Sequence, residues 1–200
     1  MSVVVRKAQV ADARALAEAL ARAFADDPVM AWLLPDVSAR RHRLPRLFAM
    51  EMRCLYFPHG EVYTTAELSG GALWAPPGYW RTPARSLLRA LPRLLWTLRA
   101  GLPTAVQAVS AIEAVHPRTA HWYLAVIGTE PTSWGQGTGS ALLAPVLHRC
   151  DADRVPAYLE SSKESNVAFY QRHGFEVTGT VDLPRGGPRV WPMWREPRRG

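Results

Sequence analysis

Cysteine is nearly absent. Cys54 and Cys150 are the only two in 200 residues. That is too few for a disulfide framework, and each reads as a small apolar residue for an interior. Cysteine and histidine nowhere fall at metal-ligand spacing, so no metal is expected. No uninterrupted apolar run reaches the ~18 residues of a membrane-crossing helix. Met1 to Lys7 lack the long apolar core and cleavage site of a leader. A cytoplasmic chain with no membrane partner is expected. Lysine is scarce too, with only Lys7 and Lys163 among 24 basic residues, and arginine dominates the formal charge of +7. A basic surface attracts nucleic acid or helps an anionic cofactor arrive. The second reading needs no extra partner, so no nucleic acid is expected.

Hydrophobic residues make up 48% of the chain, enough for one domain over residues 1–200 with a sizeable core. Residues 3–8 read as a strand. Ala13, Leu16, Ala17, Leu20 and Phe24 recur at helical spacing. Asp26, Asp27 and Pro28 end that helix, because the residue before proline avoids helical geometry. A second helix is expected over about 38–56, bent near Pro45. Residues 61–65 and 71–75 read as adjacent strands. Between 81 and 116, Leu87, Leu88, Leu91, Leu94, Leu95 and Leu98 form an apolar face, with Arg81, Arg85, Arg89 and Arg93 four apart. The plain reading is an amphipathic helix with a solvated arginine stripe, broken by Pro92 and Pro103; a membrane-surface or groove-lining helix are the others. Then come a strand at 121–129, a helix to about Cys150 kinked by Pro145, a short strand at 156–160 and a helix at 165–173 capped by Gly174. Residues 175–181 and 189–194 close as an antiparallel pair. Arg198 and Arg199 read as a frayed tail. This order argues for an α/β fold around a mixed sheet.

Gly135, Gly137 and Gly139 alternate between the strand at 121–129 and the helix opening at Ser140. Glycines at such a junction let backbone N–H groups converge without Cβ atoms in the way. The helix adds its unpaired N–H groups and the positive end of its dipole. Together they make an anion site. The loop lacks the Gly-Lys-Ser/Thr end of a mononucleotide loop and the G-x-G-x-x-G spacing of a dinucleotide fingerprint. A hairpin loop with no ligand is the bland alternative.

Residues 131–139, with Trp134, Gly135, Gln136, Gly137, Thr138 and Gly139, resemble the pyrophosphate loop of the GNAT superfamily of acyl-CoA N-acyltransferases. That loop reads Gln/Arg-x-x-Gly-x-Gly/Ala between a strand and a helix. Gly137 and Gly139 match it, and Trp134 stands where Gln or Arg is usual. Asn166, Tyr170, Gly174 and Phe175 match a second family segment in the right order. The run from His116 to Trp194 is most similar to puromycin N-acetyltransferase-like members from actinobacteria. The resemblance implies a single α/β domain: a mixed, mostly antiparallel sheet flanked by helices, with a splayed central strand pair. It also implies acetyl-CoA as cosubstrate, held by Val126, Ile127 and Gly128 of the splayed strand, by Trp134 to Ser140, and by Asn166 and Tyr170.

The chemistry so implied is acetyl transfer to the primary amine of a small molecule, without a covalent enzyme intermediate. The acceptor would be antibiotic-like or aminoacyl-type, in keeping with antibiotic resistance. Tyr170 is the candidate acid for the departing thiolate, a phenol being protonated at neutral pH. Glu160 is the leading candidate base, directly or through water. Asp26 and Asp27 are candidates for holding a cationic amine, or only turn residues. His116 and His121 flank the entry to the central strand, as bases or as structural histidines. Ser140 and Asn166 either meet the cofactor or cap their helices. The alternative is a non-catalytic acyl-CoA-binding module. Either a monomer or a homodimer fits.

Overall fold

Alternating side chains along the strands divide the interior in two, and the sheet between them positions everything that follows. The computed structural model describes residues 3–81 and 83–198 and, at residues 84, 85, 87 and 100, the backbone alone. The side chains of Arg85 and Leu87, and Arg199, lie outside the described residues. Val5–Lys7 (β1), Val62–Thr65 (β2), Gly70–Ala75 (β3), Trp122–Thr129 (β4), Ala157–Ser161 (β5), Glu176–Val177 (β6), Val181–Asp182 (β7) and Arg189–Arg195 (β8) form the sheet. Its order is β1-β2-β3-β4-β5-β8-β6, with β7 also on β8. All pairings are antiparallel except β4 with β5. The expected mixed, mostly antiparallel sheet is the one found.

The helices are Ala13–Ala23 (α1), Pro28–Leu33 (α2), Val37–Glu51 (α3), Ala84–Leu98 (α4), Leu102–Val115 (α5), Thr138–Asp153 (α6) and Val167–Arg172 (α7). A π-helical turn, Met52–Tyr56, extends α3. Val62, Leu73 and Val126 point into a core closed by Leu16, Leu20, Leu44 and Phe48. Tyr63, Trp74, Trp122, Leu124 and Leu159 point the other way, onto Leu142, Leu143 and Val146 of α6. Burying each leucine contributes roughly 2 kcal/mol of transfer free energy. Cys150 is buried in this second core, and Cys54 is half-buried against the first.

Two local expectations change. Asp27 does not simply close α1; it opens α2. Its carboxylate accepts the Val29 and Met30 N–H groups at 3.0 Å each. Pro28 occupies the first helical position, where a missing N–H costs nothing. Pro92 lies inside α4 without breaking it, and Pro103 sits in the first turn of α5. α4 also turns Leu88, Leu91, Leu95 and Trp96 outward, while Ala90, Thr97 and Leu98 are buried. The buried side therefore includes smaller residues than the leucine-rich side, which lets α4 approach its neighbours closely. Arg89 and Arg93 are exposed, as the solvated stripe predicts. Among the described residues no helix is long and apolar enough to cross a membrane.

One irregularity shapes the centre. Leu73 opposes Val126 and Trp74 opposes Leu124, so Ala125 is an extra residue in β4. On its other edge β4 pairs with β5 only at Trp122/Ala157, Tyr123/Tyr158 and Leu124/Leu159. Beyond Leu124 that ladder stops and the two strands part.

Candidate active site

The fork between β4 and β5 leaves backbone groups of Ala125 to Thr129 without partners on the β5 side. Val126, Ile127 and Gly128 lie on this stretch and are half-buried. Gly128 also lets α1 lean on the strand, since a Cβ there would come within 2.9 Å of Ala23 and Phe24.

The glycine loop lies just past the end of β4. Gly137 has φ 79° and is the N-cap of α6, with no side chain capping the helix. The N–H groups of Thr138, Gly139 and Ser140 thus begin the helix without a side-chain acceptor, and such groups favour an anion. A Cβ at Gly135 or Gly137 would meet nothing within 4 Å. The loop is therefore open at these two positions, and the chemistry of the donor set suits an anion such as a diphosphate. Side chains brace the loop from behind: Trp134 Nε1 donates to the Thr129 carbonyl at 3.1 Å and Gln136 Nε2 to the Thr132 carbonyl at 2.8 Å. Trp134 is otherwise exposed. Gly139 acts differently, because a Cβ would sit 3.1 Å from the Phe169 ring; its bareness lets α6 meet α7. Ser140 Oγ lies 2.9 Å from His173 Nε2, so its hydroxyl is engaged by the residue that ends α7. Asn166 precedes α7, exposed, and its side chain caps nothing.

Tyr170 of α7 is buried, with Phe169 and Phe175 against its ring. Burial, and then the charge of Asp27, hold its phenol above the usual value. It stays protonated at neutral pH. Asp27 is itself buried and accepts the hydroxyl of Ser162, while Asp26 is exposed and pairs with Lys163 at 2.8 Å. Both acids thus bind the connection from β5 to α7.

Glu160 is the first residue of β5 beyond its last pair with β4. Its side chain is only 7% exposed, and His116 Nδ1 lies 3.3 Å from Oε1. Tyr123, Tyr158 and Tyr56 surround it. Burial first, then the charge of Glu160, raises the phenols of Tyr123 and Tyr158; at Tyr56 burial leads, followed by Glu51 and then Glu160. Trp80 stacks on His116 with ring centres 3.8 Å apart. Tyr56, Trp80 and Tyr123 were not singled out from the sequence. Alternate spacing on β5 puts Tyr158 and Glu160 on one face, but Tyr56 and Trp80 sit in unrelated segments and carry no spacing signal.

Residues 63–175 match the model of the Acetyltransferase (GNAT) family. The chain belongs to the GNAT acetyltransferases. It is 26% identical over 200 aligned residues to an uncharacterized N-acetyltransferase of Schizosaccharomyces pombe, covering 92% of this chain and 79% of that one. A crystal structure from Corynebacterium glutamicum, described as histone acetyltransferase HPA2 and related acetyltransferase, superposes with a TM-score of 0.77. It is 27% identical, over 100% of this chain and 99% of the other. The polyamine N-acetyltransferase of Drosophila melanogaster shares the fold, with TM-score 0.62, 14% identity and coverage of 98% and 100%.

GNAT acetyltransferases use acetyl-CoA, and the elements around the fork carry groups whose chemistry suits such a transfer. The glycine loop supplies anion donors, the open edge of β4 supplies backbone hydrogen-bonding groups, α7 supplies a protonated phenol, and β5 supplies a buried carboxylate. Cys150 cannot serve as a nucleophile there: it lies on the buried face of α6 in the second core, and burial pushes its thiol up to about 12.

Proposed function

We propose that this GNAT enzyme moves an acetyl group from acetyl-CoA to the primary amine of a small molecule by direct attack. The observation that carries the reading is the fork. The β4/β5 ladder ends at Leu124/Leu159, and Glu160 is the next residue on β5. Residues 135–140 hold the diphosphate, with Val126, Ile127 and Gly128 offering backbone groups along the open edge and Asn166 a free amide at the mouth. Glu160 takes a proton from the ammonium. The amine nitrogen then bonds to the thioester carbonyl carbon, the C–S bond breaks, Tyr170 gives its proton to the sulfur, and the second proton lost from nitrogen restores the phenol. Backbone donors aimed at the developing oxyanion contribute on the order of 3 kcal/mol each in such reactions. Asp26 and Asp27 border the acceptor side and hold it against the β5–α7 connection. An antibiotic-like or aminoacyl-type amine is the acceptor class that the puromycin N-acetyltransferase-like resemblance supports.

The test is thiol release from acetyl-CoA with an amine panel: puromycin, agmatine and phenylethylamine. Turnover that Glu160→Gln lowers by ~100-fold or more, with calorimetric acetyl-CoA affinity kept, supports the reading. Trp134, in place of the usual Gln or Arg, favours a second reading, an acyl-CoA-binding module without turnover. Acetyl-CoA binding with no thiol release for any amine would favour it.

A further inference from the structure

Two histidines stand in line behind Glu160. His116 Nδ1 lies 3.3 Å from Glu160 Oε1. His116 Nε2 lies 3.0 Å from His121 Nε2, and His121 Nδ1 lies 2.6 Å from the carbonyl oxygen of Thr119. His116 is 7% exposed and His121 1%. The rings are boxed by Trp80, Tyr123, Tyr158 and Trp194. Their nitrogens therefore bond one another rather than bulk water.

The proton count follows from the acceptor at the far end. A carbonyl oxygen only accepts, so His121 Nδ1 carries a proton. A neutral His121 then has a bare Nε2, which accepts from His116 Nε2–H. A neutral His116 with its proton on Nε2 turns a bare Nδ1 toward the Glu160 carboxylate. Two lone pairs face each other across 3.3 Å. Three contacts need three protons, and two neutral imidazoles bring two. The cluster with an ionised Glu160 is one proton short and carries one negative charge. A third proton fills the empty contact and makes the cluster neutral, which a buried site favours.

We propose that His121 and His116 are positioning residues for Glu160: the Thr119 carbonyl fixes the tautomer of His121, His121 fixes that of His116, and the bare Nδ1 of His116 shares the proton Glu160 takes from the amine. The inference rests on Glu160 being the base. In the step, an N–H bond of the ammonium breaks, its electron pair stays on the amine nitrogen, and the proton is bound between Glu160 Oε1 and His116 Nδ1. It returns to water through the fork after the product leaves. The other titratable groups facing this cluster are Tyr123, Tyr158 and, across from α3, Tyr56 with Glu51. The three phenols are raised, so they stay protonated and do not compete for the amine's proton. Burial pushes the Glu51 carboxyl up to about 7, so its titration must be subtracted with Glu51→Gln. Burial lowers His121, in keeping with a neutral ring.

The experiment has two arms on the whole protein. Ring 15N NMR of the free enzyme above neutral pH should show His121 with its proton on Nδ1 and His116 with its proton on Nε2. Acidification should add a proton at His116 Nδ1, and Glu160→Gln should alter that titration. His121 protonated on Nε2, or His116 on Nδ1 at high pH, overturns the proposal; this arm needs no acceptor. In the second arm, kcat/KM against pH is followed with puromycin, agmatine or phenylethylamine. His121→Leu frees His116 to turn an N–H toward Glu160, which stabilises the carboxylate. The acid limb should then move down by about one pH unit or more and kcat should fall. His121→Gln, whose amide oxygen accepts from His116 Nε2, should recover much of the loss. An unmoved acid limb in His121→Leu overturns the proposal while leaving Glu160 as base. Wild-type kcat in Glu160→Gln removes the base reading itself, and the NMR arm still judges the tautomers.

Discussion

The carboxylate of Asp27 accepts the hydroxyl of Ser162, joining the start of α2 to the end of β5. The same carboxylate caps α2 through Val29 and Met30, and it is 3% exposed. One side chain thus fixes the turn between α1 and α2 to the segment that leads into α7 and Tyr170.

Asp27→Ala removes a helix cap and leaves the Ser162 hydroxyl short of an acceptor. The expected loss is about 2 kcal/mol, cap and buried hydrogen bond together. Urea denaturation of the two proteins measures it. Ser162→Ala should cost less, because the cap survives. Equal losses would mean that the cap contributes nothing.

Tyr170→Phe keeps the ring that packs on Phe169 and Phe175 and deletes only the proton donor. Stability and acetyl-CoA affinity should hold, while kcat falls roughly 100-fold. An undiminished kcat would remove Tyr170 from the acid role.

Gly137→Ala tests the loop. A Cβ there meets no neighbour, yet φ is 79°. The backbone strain is about 1 kcal/mol, and the methyl enters the open space beside the loop we propose holds the diphosphate. Acetyl-CoA affinity should weaken tenfold or more with a small change in melting temperature. Gly139→Ala should show the reverse weighting, because its Cβ would press on Phe169 and part α6 from α7. Calorimetry on both variants separates cradle from packing.

Acid sensitivity follows from His173. Burial first, and then Arg172, Arg198 and Arg195, lower its pKa, so the folded ring stays neutral below the ordinary value of about 6.5. Between the folded and unfolded values the unfolded chain binds more protons, so stability falls as pH drops through that window. The contribution is fully present above pH ~6.5. His121 has the same sign. Glu51, whose carboxyl burial pushes up to about 7, has the opposite sign in this window, so in a Glu51→Gln background the melting temperature by calorimetry should be level just above neutrality and decline below pH ~6.5. His173→Gln, which can still bond Ser140, should flatten the decline.

The sequence by itself determined the parts that depend on neighbours along the chain. Val62 to Thr65, Gly70 to Ala75 and Trp122 to Thr129 are short runs rich in β-branched, aromatic and aliphatic residues between turn residues, as buried strands are. Gly135 and Gly137 permit a left-handed loop before a helix, and Gly174 marks the end of α7 with φ 87°. These follow from backbone sterics and side-chain period, which are local. Asp27 with Pro28 is local too, but ambiguous, since the same pair suits the end of one helix and the start of the next. Tertiary structure alone decided the rest. Pro92 stays within α4, and Leu88 and Leu95 face outward, because packing sets which face is buried. The halt of the β4/β5 ladder at Leu124 needs the extra residue Ala125 and two strands about 35 positions apart. Glu160, His116, His121, Tyr56 and Trp80 meet only once the sheet, α3 and the segment before β4 are in place. The proton we propose Glu160 and His116 share depends on distances no single stretch of chain contains.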